Sequence, residues 1–206
     1  MPQNALFAHR PDTEFDPLES LTDAHWKVSD RITLERDWLG RSLIRQKGLG
    51  WRNLCEIRSL WTPSHLSFHI QCWFEQPSDL DCVILLLRPA SRADYFQIEV
   101  RPDGKPVDSH VRRPRVDVDY SWSSQLQVRS QIFPEERIWR ASLQVPFSLS
   151  WAAPPCVGEA WRFNVVRTVG EGADLDFISW RPTFTPLPDP HVPESFGVLV
   201  FLGSEP

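Results

Sequence analysis

The chain has 206 residues, and 22 lysines and arginines against 27 aspartates and glutamates leave a formal net charge of −5. Nineteen prolines, scattered from Pro2 to Pro206, exclude a helical bundle, while 41% hydrophobic and 12% aromatic residues exclude a disordered chain. The acidic balance argues against a nucleic-acid partner, whose phosphates require a basic surface, and the short basic run His110 to Arg115 does not reverse it.

The segment Met1 to Pro17 contains Arg10, Asp12, Glu14 and Asp16 and no apolar core, so it does not read as a secretory leader. Taken literally, this places the chain in the cytoplasm. Residues 1–20 are expected to form an N-terminal extension and residues 21–206 a single domain, with one helical turn near Asp16 to Ala24. From about residue 50 onward the dominant period is two. In Leu66-Phe68-Ile70-Cys72-Phe74 the apolar side chains alternate with His65, Ser67, His69, Gln71 and Trp73, the pattern of a half-buried strand. Val83 to Leu87 is apolar on both faces and reads as a central strand covered on both sides. Phe96-Ile98-Val100 alternates with Gln97 and Glu99, and Trp139-Ala141-Leu143-Val145 with Arg140, Ser142 and Gln144.

Further strands are expected at Cys55 to Trp61, Val107 to Arg112, Val116 to Tyr120, Leu126 to Ile132, Trp161 to Arg167, Asp176 to Trp180 and Val198 to Leu202. Turn signals such as Thr62-Pro63-Ser64, Pro102-Asp103-Gly104 and Gly170-Glu171-Gly172 separate them. About eleven short strands with little helix predict an all-β, antiparallel two-sheet β-sandwich of jelly-roll or immunoglobulin-like type. The longest apolar run, Cys82 to Leu87, has strand length and falls far short of the roughly 20 residues of a membrane-spanning helix. Cys55, Cys72, Cys82 and Cys156 lack zinc-type spacing and read as free thiols, three of them within apolar strands.

One ordered set of residues goes beyond alternation. It runs from Tyr95-Phe96-Gln97-Ile98-Glu99-Val100-Arg101-Pro102-Asp103-Gly104 through Asp108, Trp122 and Trp139 to Val145-Pro146-Phe147. It continues with Gly158-x-x-Trp161-Arg162-Phe163-Asn164-x-x-Arg167, Ser179-Trp180-x-Pro182 and His191-Val192-Pro193-Glu194-x-Phe196-Gly197-x-Leu199. This order and spacing resemble the carbohydrate-binding module family 9-like domains, a β-sandwich group related to the DOMON superfamily. Asp23-x-x-Trp26 and Arg58-x-Leu60-Trp61 extend the resemblance over about residues 20 to 203.

The resemblance implies noncatalytic sugar binding, often in secreted or periplasmic polysaccharide-degrading systems, and hence a glycan ligand. From the charge balance and the short apolar runs no nucleic-acid or membrane partner is expected, and a monomer or weak oligomer is. The chain departs from the family at the two tryptophans that sandwich a sugar, which fall near Ser78 and Pro190, and at an acidic position occupied by Ser142. Fold transfers across such departures more securely than ligand specificity.

Sugar recognition needs an aromatic surface for the C–H face of a pyranose, flanked by hydrogen-bonding groups. Gln97, Glu99 and Asn164 lie opposite their strands' apolar positions and match the regions of the family's polar binding residues. An ordinary solvated sheet face is the alternative. Trp122, in a polar loop, is the first candidate for stacking, with a core anchor as its alternative. Trp73 and its face form the runner-up site. Three residues apart on a strand, Asn164 and Arg167 point to opposite faces, which favours Asn164 for binding and Arg167 for a structural ion pair. His191 and Glu194 approach the ligand in the family's closing loop, or cap that edge instead.

No cofactor is expected. His65 and His69 lie roughly 13 Å apart along a strand and cannot chelate one ion as a pair. Asp117 and Asp119 share a face that leaves a structural calcium open, though no calcium-loop motif surrounds them. A jelly-roll glycoside hydrolase would need two carboxyl groups about 5 to 5.5 Å apart. Asp117 with Asp119 and Asp174 with Asp176 have suitable sequence spacing, but neither pair sits in a catalytic motif, and no catalytic residue is assigned.

Overall fold

Alternating sequence becomes paired strands in two layers. The computed structural model describes residues 4–13, 15–19, 21, 24–43, 54–74, 80–148, 151–170 and 175–204. Asp23, Ser78, Asp174, Glu171 and Gly172 lie outside the described residues. The first strands are β1 (Ala5–Ala8), β2 (Arg31–Leu34), β3 (Arg36–Asp37), β4 (Cys55–Trp61), β5 (His65–Trp73), β6 (Cys82–Arg88) and β7 (Tyr95–Val100). Then come β8 (Val107–Arg113), β9 (Asp117–Asp119), β10 (Gln127–Phe133), β11 (Ile138–Pro146), β12 (Ala160–Val169), β13 (Asp176–Ser179) and β14 (Gly197–Phe201). One helix, α1 (Ala24–Val28), and a 3-10 turn at Pro193–Ser195 complete the elements.

A nine-stranded sheet runs in the order β1-β14-β12-β6-β7-β8-β9, with β13 beside the far end of β12 and β3 beside β13. A five-stranded sheet runs β10-β11-β5-β4-β2. The expected two-sheet sandwich is therefore the observed one. It has fourteen strands among the described residues rather than about eleven, because β1, β2 and β3 are too short to show a period.

The expected N-terminal extension is corrected most. Ala5–Ala8 pairs in parallel with Val198–Phe201, and Leu6 and Ala8 are fully buried, so the sandwich begins before residue 20 and carries one parallel pair. The helical turn also moves. Asp16 accepts the backbone N–H of Leu18 at 2.8 Å in a local turn, and the helix forms later, at Ala24–Val28.

The core lies between the sheets. Phe68 of β5 stacks on Phe163 of β12 with ring centroids 5.5 Å apart, and Leu85, Ile98, Ile70 and Leu143 fill the same layer. At one end Trp61, Trp151, Trp161 and Phe201 meet edge to face. Each indole there also finds an acceptor: Trp61 Nε1 donates to the Leu202 carbonyl at 2.7 Å, Trp151 Nε1 to that of Pro146 at 2.8 Å, and Trp161 Nε1 to Glu159 at 2.7 Å. Buried tryptophans need that polar satisfaction.

A second apolar cluster explains why β6 is apolar on both faces. Leu86, Tyr95, Val111 and Phe196 pack together on the outer side of the nine-stranded sheet, with Ile84 and Val118 against them. Cys55 and Cys72 are opposite each other in register, both are buried free thiols, and one donates to the other at 3.0 Å, whereas Cys156 is exposed. Burial raises the Cys72 thiol pKa. Among the described residues no helix is long and apolar enough to cross a membrane.

Candidate functional site

Strand alternation divides β7 between two environments. Phe96, Ile98 and Val100 enter the core, which turns Tyr95, Gln97 and Glu99 to the outer face. The register extends this row across the sheet: Asn164 opposes Leu86, Leu86 opposes Gln97, and Gln97 opposes Ser109. Gln97 Nε2 donates to Glu99 Oε1 at 2.7 Å, and Arg101 lies 3.6 Å from the other carboxylate oxygen. Gln97 is 8% exposed and Ser109 1%, yet Gln97 Oε1 and Ser109 Oγ have no hydrogen-bond partner. Buried polar atoms are rarely left so, which makes this pair a feature in need of a role.

The connection after β13 closes over this row. His191 Nδ1 meets the Tyr95 hydroxyl at 2.8 Å, and the Asp189 carboxylate accepts the His191 backbone N–H at 2.8 Å. Arg115 pairs with Asp189 and donates to the His191 carbonyl, fastening the connection to β9's side of the sheet. Burial lowers the His191 pKa, against the opposing pull of Asp189 and Glu99, so the ring is neutral at physiological pH. Burial likewise raises the Tyr95 phenol, keeping it a hydrogen-bonding neutral group.

Gln97, Glu99, His191 and Glu194 therefore share one side of the molecule, but the other site candidates do not join them freely. Asn164 lies on the same face, fully buried, and its amide is committed: Nδ2 donates to the Arg181 carbonyl at 3.0 Å, and Oδ1 accepts from the backbone N–H of Arg181 and Val165. It fixes the chain after β13 rather than facing a ligand. Glu194 is exposed in the 3-10 turn, and its backbone carbonyl accepts from Arg162.

Trp122 departs from its expected place as a stacking residue. Its ring lies 4.6 Å from that of Phe96, which points inward, so Trp122 packs on the core side of the sheet, across from Gln97 and Glu99. A solitary aromatic in a polar loop gives no sign of which side it will reach. Trp73 ends β5 on the outer face of the opposite sheet. That face holds a cavity of about 170 Å3 lined by Trp26, Arg58, His69, Gln71 and Arg140, with Trp26 stacked on His69 at 5.3 Å. Burial, and then Arg58 and Arg140, push the His69 pKa down to about 3.

The remaining chemistry is structural. Arg167 is fully buried on the core side of β12, where Nε and Nη2 grip Asp81 at 2.9 and 2.6 Å. Trp139 Nε1 shares that carboxylate at 3.2 Å, and Arg167 Nη1 donates to the Leu54 carbonyl. The expected ion pair is thus present, with an Asp81 partner that sequence spacing did not reveal. Arg112 reaches both Asp117 and Asp119, at 3.4 and 2.7 Å. Among the described residues no group of three or more His, Cys, Asp or Glu side chains converges as a metal site.

No family model matches the sequence, and no curated protein matches it. Solved structures do. A candidate carbohydrate-binding protein from Bacteroides uniformis is similar with a TM-score of 0.70 at 14% identity, covering 96% of this chain and 98% of that one. A carbohydrate-binding module of family 9 from Caldicellulosiruptor kristjanssonii, in complex with glucose, aligns with a TM-score of 0.66 at 11% identity, over 98% and 97% of the two chains. The cellotriose complex from the same organism gives 0.64 at 10% identity, over 98% and 95%. The chain has the fold of the family 9 carbohydrate-binding modules.

Proposed function

We propose that this domain recognises a glycan without transforming it, on the outer face of the nine-stranded sheet. The observation that carries this reading is the outward polar row of Gln97, Glu99 and Ser109, with the partly exposed Glu99 carboxylate in it and His191 closing its rim. A sugar hydroxyl is donor and acceptor at once, and suits the Glu99 carboxylate as an apolar group cannot. His191, neutral and anchored by Tyr95, adds a further polar group at the rim. Tyr120, 73% exposed in the turn that follows β9, supplies the aromatic surface in place of Trp122. The shared fold with modules solved in complex with glucose and cellotriose supports a saccharide as the ligand class.

Isothermal calorimetry against cello- and xylo-oligosaccharides tests the reading. Binding heat that Glu99→Gln and Tyr120→Ala each reduce is the expected result. A folded protein giving no heat with either series, or binding unchanged in both variants, overturns it. Pro190 at a position expected to hold a sandwiching tryptophan favours, as second reading, a protein-interaction role for the same face.

A further inference from the structure

The outer face holds a second feature, beyond the Gln97 row. An open cleft of about 360 Å3 lies beside β12 and β14, with Arg162, Arg181, Phe184, Glu194 and Phe196 among its lining residues. Arg162 and Arg88 stand directly opposite each other in the β12–β6 register. Like charges so placed on neighbouring strands repel. Arg181 adds a third positive charge, and burial together with Arg88 and Arg181 lowers the proton affinity of Arg162.

Many arginines elsewhere have a counter-charge, although Arg36 and Arg129 donate to backbone carbonyls. Arg31, Arg41, Arg92, Arg112, Arg115 and Arg140 each hold a carboxylate. Arg88, Arg162 and Arg181 form no ion pair among the described residues. Arg162 Nη2 donates instead to the backbone carbonyl of Glu194 at 3.3 Å, and Arg181 donates to Asn4. Arg181 Nε is buried without any partner. Two arginines, Arg162 and Arg181, line the cleft against the single carboxylate of Glu194, and Arg88 stands behind Arg162, so the cleft leaves a place for an external anion.

Phe184 gives that anion a carrier. It is 71% exposed, and its backbone adopts φ 55°, a region costly for a residue with a side chain. Its N–H is held by the Trp38 carbonyl at 2.8 Å, and its ring sits against Gly40, where an added Cβ would approach to 3.1 Å. The ring is therefore fixed at the cleft rather than loosely displayed. We infer that the cleft binds the carboxylate of an acidic sugar, with Arg162 and Arg181 on the carboxylate and Phe184 against the C–H face of the ring. The sugar part of this inference rests on the glycan reading, whereas the anion part stands on the arginines alone.

Calorimetry with an oligogalacturonate, a neutral cello-oligosaccharide and acetate, run on the full chain, separates the two. The oligogalacturonate is expected to bind about tenfold more tightly than the neutral chain, with affinity falling as salt rises. Arg162→Gln is expected to remove that preference while the unliganded variant melts at the same or a higher temperature, because one repelling charge is gone. Phe184→Ala is expected to weaken oligogalacturonate and leave acetate unchanged. Equal affinity for acidic and neutral chains, or a preference that survives Arg162→Gln, overturns the inference while leaving the glycan reading intact. Acetate competing as well as the oligogalacturonate, with no neutral binding at all, overturns the glycan reading and leaves only an anion cleft.

Discussion

Two arginines of β12 receive opposite treatment. Arg167 points into the core, where Asp81 meets it with two short bonds and Trp139 and the Leu54 carbonyl complete the set. Arg162, on the outer face, faces Arg88 across the sheet with Arg181 nearby. The first is a charge whose every need is met inside the chain, and its role is to fix the sandwich. The second holds only the Glu194 carbonyl and has no carboxylate partner among the described residues, which is why its counter-charge is proposed to come from outside. Parity alone sends the two guanidinium groups of one strand into these different surroundings.

The comparison breaks most visibly at the core pair. Asp81→Asn is expected to cost about 3–5 kcal/mol in urea unfolding, because it leaves a buried guanidinium without its counter-charge. The double replacement Asp81→Leu with Arg167→Met is expected to recover most of that loss, since apolar side chains replace the pair together. A small effect of Asp81→Asn alone would mean that water reaches Arg167.

His69 offers an intermediate case, a buried base flanked by Arg58 and Arg140 on the five-stranded sheet. Its pKa falls from 6.5 to about 3 on folding, so the unfolded chain takes up the proton first. Its contribution is fully present above pH 6.5 and is lost as pH falls toward 3. Between pH 6.5 and 4.5 the resulting slope is about 1.4 kcal/mol per pH unit. His69→Gln is expected to flatten stability against pH in that window, measured by denaturant titration; an unchanged slope would place the titration elsewhere.

Asn164 tests where structure ends and recognition begins. Asn164→Ala unpairs the Arg181 and Val165 backbone groups and is expected to cost about 1–3 kcal/mol. Glycan affinity lost without any loss of stability would instead put Asn164 in contact with ligand. The smallest effect belongs to Arg88→Gln, expected to stabilise the unliganded protein by about 0.2–1 kcal/mol, because it relieves the repulsion with Arg162. Destabilisation would mean that Arg88 has a structural partner.

Much of the sandwich was legible because its long strands repeat with period two. Phe68, Ile70 and Cys72 face the core as their alternation required. β1 was not legible: four residues carry too little pattern, and its place beside β14 depends on a contact almost the whole chain away. At the site, parity placed Gln97 and Glu99 on the outer face, and Arg167 opposite Asn164. Parity is silent for loops, which is why Trp122 could not be assigned a side. It is silent too on commitment, so Asn164, outward by alternation, proved to be a buried brace. Arg162 and Arg181 drew no attention in the sequence because an arginine gains its meaning from the carboxylates around it, and these are set by register.

Chemical-shift mapping of the labelled protein with an oligogalacturonate addresses the assignment of recognition to this face most directly. Amide shifts are expected at Gln97, Glu99, Ser109, Arg162, Phe184 and His191, with Trp26, His69, Trp73 and Arg140 unmoved. Shifts confined to the Trp26–His69 face, or saturating binding that leaves the Gln97 and Arg162 strands unperturbed, would contradict it.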